Sequence, residues 1–344
     1  MASPELGKAK VGERLVTDCY QIGYRPELDT SPECSEEEME NYQSILGACQ
    51  WMVSLGRYDI NHAVMSMSRF RAMPHLEAIV HLDGYIRRFP NAAIRFRTGI
   101  PDHEKNFGEP KHFSWMETPY GDAKEEIPED APEPKGKAVR STSFVDGNLL
   151  HDVITGRSCT GIFHFLNQTH LHAFSKQQNQ VETATYRSEF MAAWQAVEQI
   201  IELRYTLRYR GVPLDGPAWL FGDNQSVVTS STLPYFALSK RWNILLYCKC
   251  CEAIAAGIVR FEHIPGTENP ADILTKALPH TVARKYVEPM FFWKGDTKDI
   301  GDYEASAMNE HHDKGHQSTM RGKHEGSDGN RIPPHGTDAS TETI

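Results

Sequence analysis

Residues 141–181, STSFVDGNLLHDVITGRSCTGIFHFLNQTHLHAFSKQQNQV, decide the fold. STSFVDGNLL is short and rich in residues that favour strands. CTGIFHFL and THLHAFS follow, with Asn167 and Gln168 between them as a hairpin turn. Three successive short strands joined this tightly read as an antiparallel meander. The next stretch, TATYRSEFMAAWQAVEQIIELRYTLRYRG, places Phe190, Ala193, Trp194, Val197 and Ile201 at helical intervals. It is expected to form the longest helix, capped by Thr183 or Thr185 and stopped at Gly211. Beyond it lie an apolar strand, AWLFG, a helix start at DNQSVV, a cysteine-bearing helix from about Lys240 to Ala256, the strand IVRFEHI and a last helix beginning near Asn269. The order βββαβαβα predicts an α/β fold with a mixed five-stranded sheet and helices on its faces.

Upstream, YQSILGACQWMVSL and INHAVMSMSRF carry apolar residues at helical spacing, with Asp59 as the expected cap of the second. Pro74 suits the first turn of a third helix, HLEAIVHLDGYIRRF, and AAIRFR alternates like a strand. The expected partition is a loose extension over 1–40, a helical module over 41–99, an acidic, proline-rich linker over 100–140, an α/β domain over 141–280 and a C-terminal extension over 281–344 that is mostly disordered after about 300.

The chain of 344 residues has 40% hydrophobic content, enough for a substantial core. Its first residues, MASPELGKAK, have no apolar leader, and no later stretch has the roughly 20 apolar residues needed to cross a bilayer. Secretion and membrane spanning are not expected. Seven scattered cysteines do not form a disulfide framework, so a reducing intracellular location, cytoplasmic or nuclear, fits best. A net charge of -10 argues at first sight against a nucleic-acid partner. The excess acid, however, collects in ELDTSPECSEEEMENY and YGDAKEEIPEDAPEPKGK, whereas acids and bases nearly balance over 141–280.

Within that balanced region Asp146 in SFVDGN, Glu189 in RSEFMAA, Asp223 in LFGDNQS and Asp272 in NPADILTK each stand beside an apolar or small-residue run. A carboxylate is costly to bury unless it is paired or bound to a cation. Any one of these acids is most simply a cap or turn residue. Taken as an ordered set, they suggest a site for a hard divalent cation such as magnesium. Asp152 is the nearest acidic rival to Asp146 and is expected in the following turn.

The ordered motifs SFVDGNLLHDVITGRSCTG, SKQQ, SEFMAA, FGDNQSVV and NPADILTK resemble the RNase H domain of copia-type LTR retrotransposon Pol polyproteins, over about 140–280. YQSILGACQWMVSLGRYDINHAVMSMSRF and PHLEAIVHLDGYIRRF resemble the connection region that follows the reverse transcriptase palm in the same polyproteins. No Tyr-x-Asp-Asp sequence occurs, so polymerase activity is not expected. The resemblance implies that Asp146 ends the first strand, Glu189 sits in the first turn of the long helix, Asp223 closes the fourth strand and Asp272 begins the last helix. It further implies two Mg2+ ions about 4 Å apart, replaceable by Mn2+, and hydrolysis of the RNA strand of an RNA–DNA hybrid. A reverse transcriptase palm or other Pol products are the implied protein partners, and a virus-like particle is one implied cytoplasmic setting.

His263, nine residues before Asp272, is an optional fifth catalytic member, against the simpler reading of a strand-end histidine. Ser175, Lys176, Lys240 and Arg241 are candidate phosphate contacts, and Asn224 and Gln225 candidate donors to the hybrid's minor groove. Trp242 replaces the histidine common in related elements. The CKCC run around Cys250 reads as buried thiols rather than a zinc site, since one helix points its cysteines in different directions. The alternative to the enzyme is an inactive remnant that keeps the fold and binds nucleic acid or a protein partner. An integrase-like nuclease fits the position of Glu189 and NPADILTK less well.

Overall fold

The strand-prone run around Asp146 becomes β1 (Ser141–Asn148), followed by β2 (Arg157–Leu166) and β3 (Thr169–Val181). The computed structural model describes residues 18–30, 34–70, 76–90, 92–108, 115–234 and 244–291; Pro74, Lys240, Arg241, Trp242 and the C-terminal extension from 292 onward lie outside them. β1 and β2 pair antiparallel with Asp146 opposite Gly161, and β2 pairs antiparallel with β3. The turn falls at Asn167, in the left-handed region with φ 54°. β4 (Ala218–Gly222) then runs parallel to β1, and β5 (Val259–His263) parallel to β4. The five-stranded order β3-β2-β1-β4-β5 is the mixed sheet expected from the sequence.

The long helix α5 spans Thr185–Tyr209. Its cap is neither threonine: Ala184 occupies the position in extended conformation, without a side-chain hydrogen bond. α6 (Gln225–Thr232) starts from a true cap, Asn224, whose side chain accepts from the Ser226 and Val227 amides. α7 spans Ile244–Ala255 and buries Cys250 and Cys251. Together α5, α6 and α7 enclose one apolar cluster against the sheet, including Val145, Ile162, Phe190, Ala193, Val197 and Leu220.

The opposite side of the sheet is covered by helices from the first third of the chain. α1 (Glu36–Ser54), α2 (Asn61–Ser68) and α3 (Leu76–Arg88) share a core with Phe163, Ala173, Leu274 and Phe291. α1 begins before the expected boundary at Asn41. Ser35 and Glu38 form a reciprocal capping box, and Glu36, Glu37 and Glu38 sit in the first turn, where the helix dipole favours negative charge. The acidic end of the stretch expected to be a loose extension is therefore a helix start. Tyr20, in the stretch expected to be loose, is buried in the same core.

Asp59 does not cap α2. It lies in a short 3-10 turn, Tyr58–Ile60, and its buried carboxylate receives two hydrogen bonds from Arg57, at 3.0 and 2.9 Å, and one from Tyr85 at 2.9 Å. Asp59→Ala will strand the buried Arg57 guanidinium. The expected cost is about 3–5 kcal/mol, to be read from urea unfolding, with Arg57→Met/Asp59→Leu recovering much of it. AAIRFR makes no strand: Ile94 forms only an isolated bridge to Phe291.

The described residues of the 100–140 stretch, which include the short helix α4 (Glu104–Phe107), lie along the domain. Trp115 and Tyr120 pack on the α5–α7 cluster, and Glu125 pairs with Arg204 and Arg208 of α5, both contacts reaching 2.7 Å or less. Residues 270–274 form a 3-10 turn rather than the start of a long helix; the last α-helix, α8, follows at His280–Val287. The reason is local. Asn269 turns its carbonyl oxygen onto the Ala271 amide and its NH2 onto the Val145 carbonyl at 2.9 Å, which ties the turn to β1.

Candidate metal centre

Asp146 is the middle of the site because β1 is the middle strand. Its carboxylate is fully buried. Asp223 follows the last residue of β4, the strand parallel to β1, so the topology places it beside Asp146. Asp272 arrives on the 3-10 turn that Asn269 fastens to β1. One carboxylate oxygen from each of Asp146, Asp223 and Asp272 lies within 4.8 Å of the other two. Among the described residues, this is the only group of three or more acidic, histidine or cysteine side chains so arranged.

Glu189 is the fifth residue of α5, one turn further in than expected, and its Oε2 accepts the Gly147 amide at 2.9 Å. A Cβ on Gly147 would stand 2.7 Å from the Ser188 carbonyl oxygen and 2.8 Å from the Glu189 backbone, so α5 can approach β1 this closely only over a glycine. Burial pushes Glu189 up to about 9, with the charges of Asp146 and Asp223 adding to the shift. Burial and then Asp146 raise Asp272 to about 6, and the same two causes raise Asp223. The carboxylates thus repel one another in a partly water-excluded space.

That repulsion has a testable consequence. A carboxyl group whose folded pKa lies above its unfolded value stabilises the fold at low pH, and the contribution is lost as pH rises through the folded pKa. Thermal unfolding of the metal-free protein should therefore show a falling Tm from about pH 4 to 6 through Asp272, and on to about pH 9 through Glu189. Glu189→Gln should flatten the upper part of that profile.

Two further residues of NPADILTK, not among the expected site residues, also reach the cluster. Thr275 donates its hydroxyl to Asp146 Oδ2 in a very short contact. Lys276 places Nζ 2.7 Å from Asp272 Oδ1 and 3.2 Å from Asp146 Oδ1. A four-residue spacing on a helical turn is the signal that could have found Lys276, since it puts Asp272 and Lys276 on one face.

His263 ends β5, and its Nε2–H donates to the Asp223 carbonyl at 3.1 Å. Asp152 lies in the turn after β1, tied to Arg69 at 2.8 Å and to the Ile154 and Thr155 amides. Ser175 points inward and donates to the Leu274 carbonyl at 2.6 Å, whereas Lys176 is exposed. Asn224 spends its carbonyl oxygen on the α6 cap, and Gln225 donates to Thr229 at 3.1 Å.

The strand order β3-β2-β1-β4-β5, with a long helix after the third strand and acidic residues on β1, after β4 and on α5, defines an RNase H-like fold. One curated sequence is similar over much of the chain. The retrovirus-related Pol polyprotein from transposon RE1 of Arabidopsis thaliana is 21% identical over 248 residues, which is 71% of this chain and 14% of that polyprotein. The chain therefore spans a small part of its relative's length. That relative and the motif resemblance are consistent with an RNase H domain of a retrotransposon Pol polyprotein. No protein-family model matches the chain.

Similar solved structures include three RNase H or reverse transcriptase proteins. The N-terminal RNase H domain of a Mycobacterium tuberculosis protein, fused to maltose-binding protein, is 13% identical with a TM-score of 0.32, covering 44% of this chain and 98% of its own. LC11-RNase H1 in complex with an RNA/DNA hybrid is 18% identical with a TM-score of 0.32, covering 40% and 94%. The foamy viral protease-reverse transcriptase in complex with an RNA/DNA hybrid is 18% identical with a TM-score of 0.30, covering 40% and 20%. Among the described residues, no helix is long and apolar enough to cross a membrane.

Proposed function

We propose that this chain is a metal-dependent endonuclease that hydrolyses the RNA strand of RNA–DNA hybrids, as the RNase H part of a copia-type reverse transcriptase. The convergence of Asp146, Asp223 and Asp272 within 4.8 Å carries this reading, because three carboxylates at one point need a cation. The donor set suits magnesium: it is all oxygen, with Glu189 outside the three-carboxylate cluster but held against β1 by the Gly147 amide, next to Asp146 in sequence. Mg2+, or Mn2+ in its place, would be held by these four residues and would supply Lewis-acid polarisation of the phosphate and an acidified attacking water.

The protein's own part is positional. Thr275 fixes one oxygen of Asp146, and the Gly147 amide fixes one oxygen of Glu189, so neither carboxylate has to reorganise on binding. Exposed Lys176 at the edge strand β3 contacts the nucleic-acid backbone as a point charge, and Gln225 and the Asn224 NH2 group face the minor groove. Lys240 and Arg241 extend the same role. His263 orients the Asp223 loop through its carbonyl. In this reading the helical stretch 41–99 is the connection to a reverse transcriptase palm.

A second reading has its own support. Lys276 already gives Asp146 and Asp272 a positive partner, so the cluster can be stable as an inactive, nucleic-acid-binding remnant. Labelled RNA–DNA hybrid incubated with Mg2+ separates the two, beside Asp223→Asn and controls of double-stranded RNA and DNA. The enzyme reading expects RNA-strand cleavage by wild type alone, leaving 5′-phosphate ends. No cleavage by wild type, or equal cleavage by the variant, leaves the remnant.

A further inference from the structure

Lys276 is the one residue of the site whose charge opposes the other four. Its backbone amide donates to the Asp272 carbonyl at 2.9 Å, which closes a helical turn and aims its side chain along the Asp272 side chain. The ammonium then reaches across to the fully buried Asp146. With Asp146 Oδ2 taken by the Thr275 hydroxyl, the ammonium occupies the remaining oxygen, Oδ1, and the same-named oxygen of Asp272. A divalent ion held by Asp146 and Asp272 would compete with the ammonium for these carboxylate oxygens.

Resting on the metal-dependent reading, we infer that Lys276 is a resident counter-cation that competes with the first divalent ion for Asp146 and Asp272 and swings out as that ion binds. The side chain has room to do so. It is 36% exposed, against 1% for Asp146 and 17% for Asp272, and its four-carbon stem is flexible. The ammonium holds the carboxylates together before the metal arrives. Weaker metal affinity is the consequence, since each divalent ion must first displace it.

Titration calorimetry of Mn2+ into the metal-free full chain tests this, with wild type, Lys276→Met and Lys276→Arg compared at one pH and ionic strength. Loss of the competing charge should tighten the first Mn2+ site in Lys276→Met by about tenfold, within the usual range of coupling between two ligands. Lys276→Arg, which keeps a cation, should remain close to wild type. Equal or weaker Mn2+ binding by Lys276→Met overturns the inference while leaving the metal reading intact. Absence of Mn2+ binding in all three proteins overturns both. Should Lys276→Met fail to fold, the wild-type protein labelled with 13C-lysine gives the answer. The Lys276 side-chain resonance, assigned by its loss in Lys276→Arg, should move on Mg2+ saturation, and a resonance that stays in place refutes the displacement.

Discussion

Asp146→Asn is expected to reduce hybrid cleavage by about 10³–10⁴-fold, equivalent to about 4–5.5 kcal/mol of transition-state stabilisation. The size of the effect follows from the position. Asp146 is the only carboxylate of the set that is fully buried on the central strand, and it faces Asp272, Thr275 and Lys276 together. An amide there keeps the volume and can still accept the Thr275 hydroxyl, so the fold should persist. It removes the charge that a cation requires, and it also removes one of the charges that raise Glu189. The metal-free variant should therefore unfold at the same temperature as wild type or higher while cleaving almost nothing. A matched loss of activity and of thermal stability would mean that Asp146 holds the fold rather than the chemistry.

Gly161→Ala should lower both stability and cleavage. Gly161 lies opposite Asp146 on β2, and a Cβ there would stand 2.7 Å from Thr275 Cγ2, 2.8 Å from Leu274 Cβ and 2.9 Å from the Ala271 carbonyl oxygen. None of these is the loose end of a long side chain. The 270–275 turn would have to lift off the sheet, at a cost of about 2–4 kcal/mol. For a domain of this size that is a Tm loss on the order of 5–15 °C by calorimetry. Because the same turn carries Asp272, Thr275 and Lys276, cleavage should fall as well, even at temperatures where the variant is folded. A variant as stable as wild type would show that the turn has slack that its contacts do not suggest.

Much of this architecture was legible in the chain. The β-prone run around Asp146, the Asn167–Gln168 turn and the three-and-four spacing of Phe190, Ala193 and Val197 are local patterns, and each produced the element it implies. Other signals were local too but ambiguous. The run SPECSEEEMENY carries a capping box and also the composition of a linker, and the helix prevailed because Tyr42, Leu46 and Cys49 behind it find a core to enter. Asp59 has a cap's chemistry in the right place. Burial beside Arg57 and Tyr85 gave it an ion pair instead.

At the candidate site, the order of Asp146, Glu189, Asp223 and Asp272 along the chain was determined by sequence alone, as was their placement at or beside strands and a helix. Their convergence was decided by tertiary structure. It depends on β4 returning parallel to β1 and on Asn269 reaching Val145, 124 residues away, to seat a 3-10 turn where a helix was expected. The same seating brings Thr275 and Lys276 onto Asp146 across 129 and 130 residues. Periodicity reports which face of an element is apolar, because that repeats every two or 3.6 residues. It carries no information on which distant side chain will meet a buried charge, since that is set by strand register and by the close approach that Gly147 and Gly161 permit.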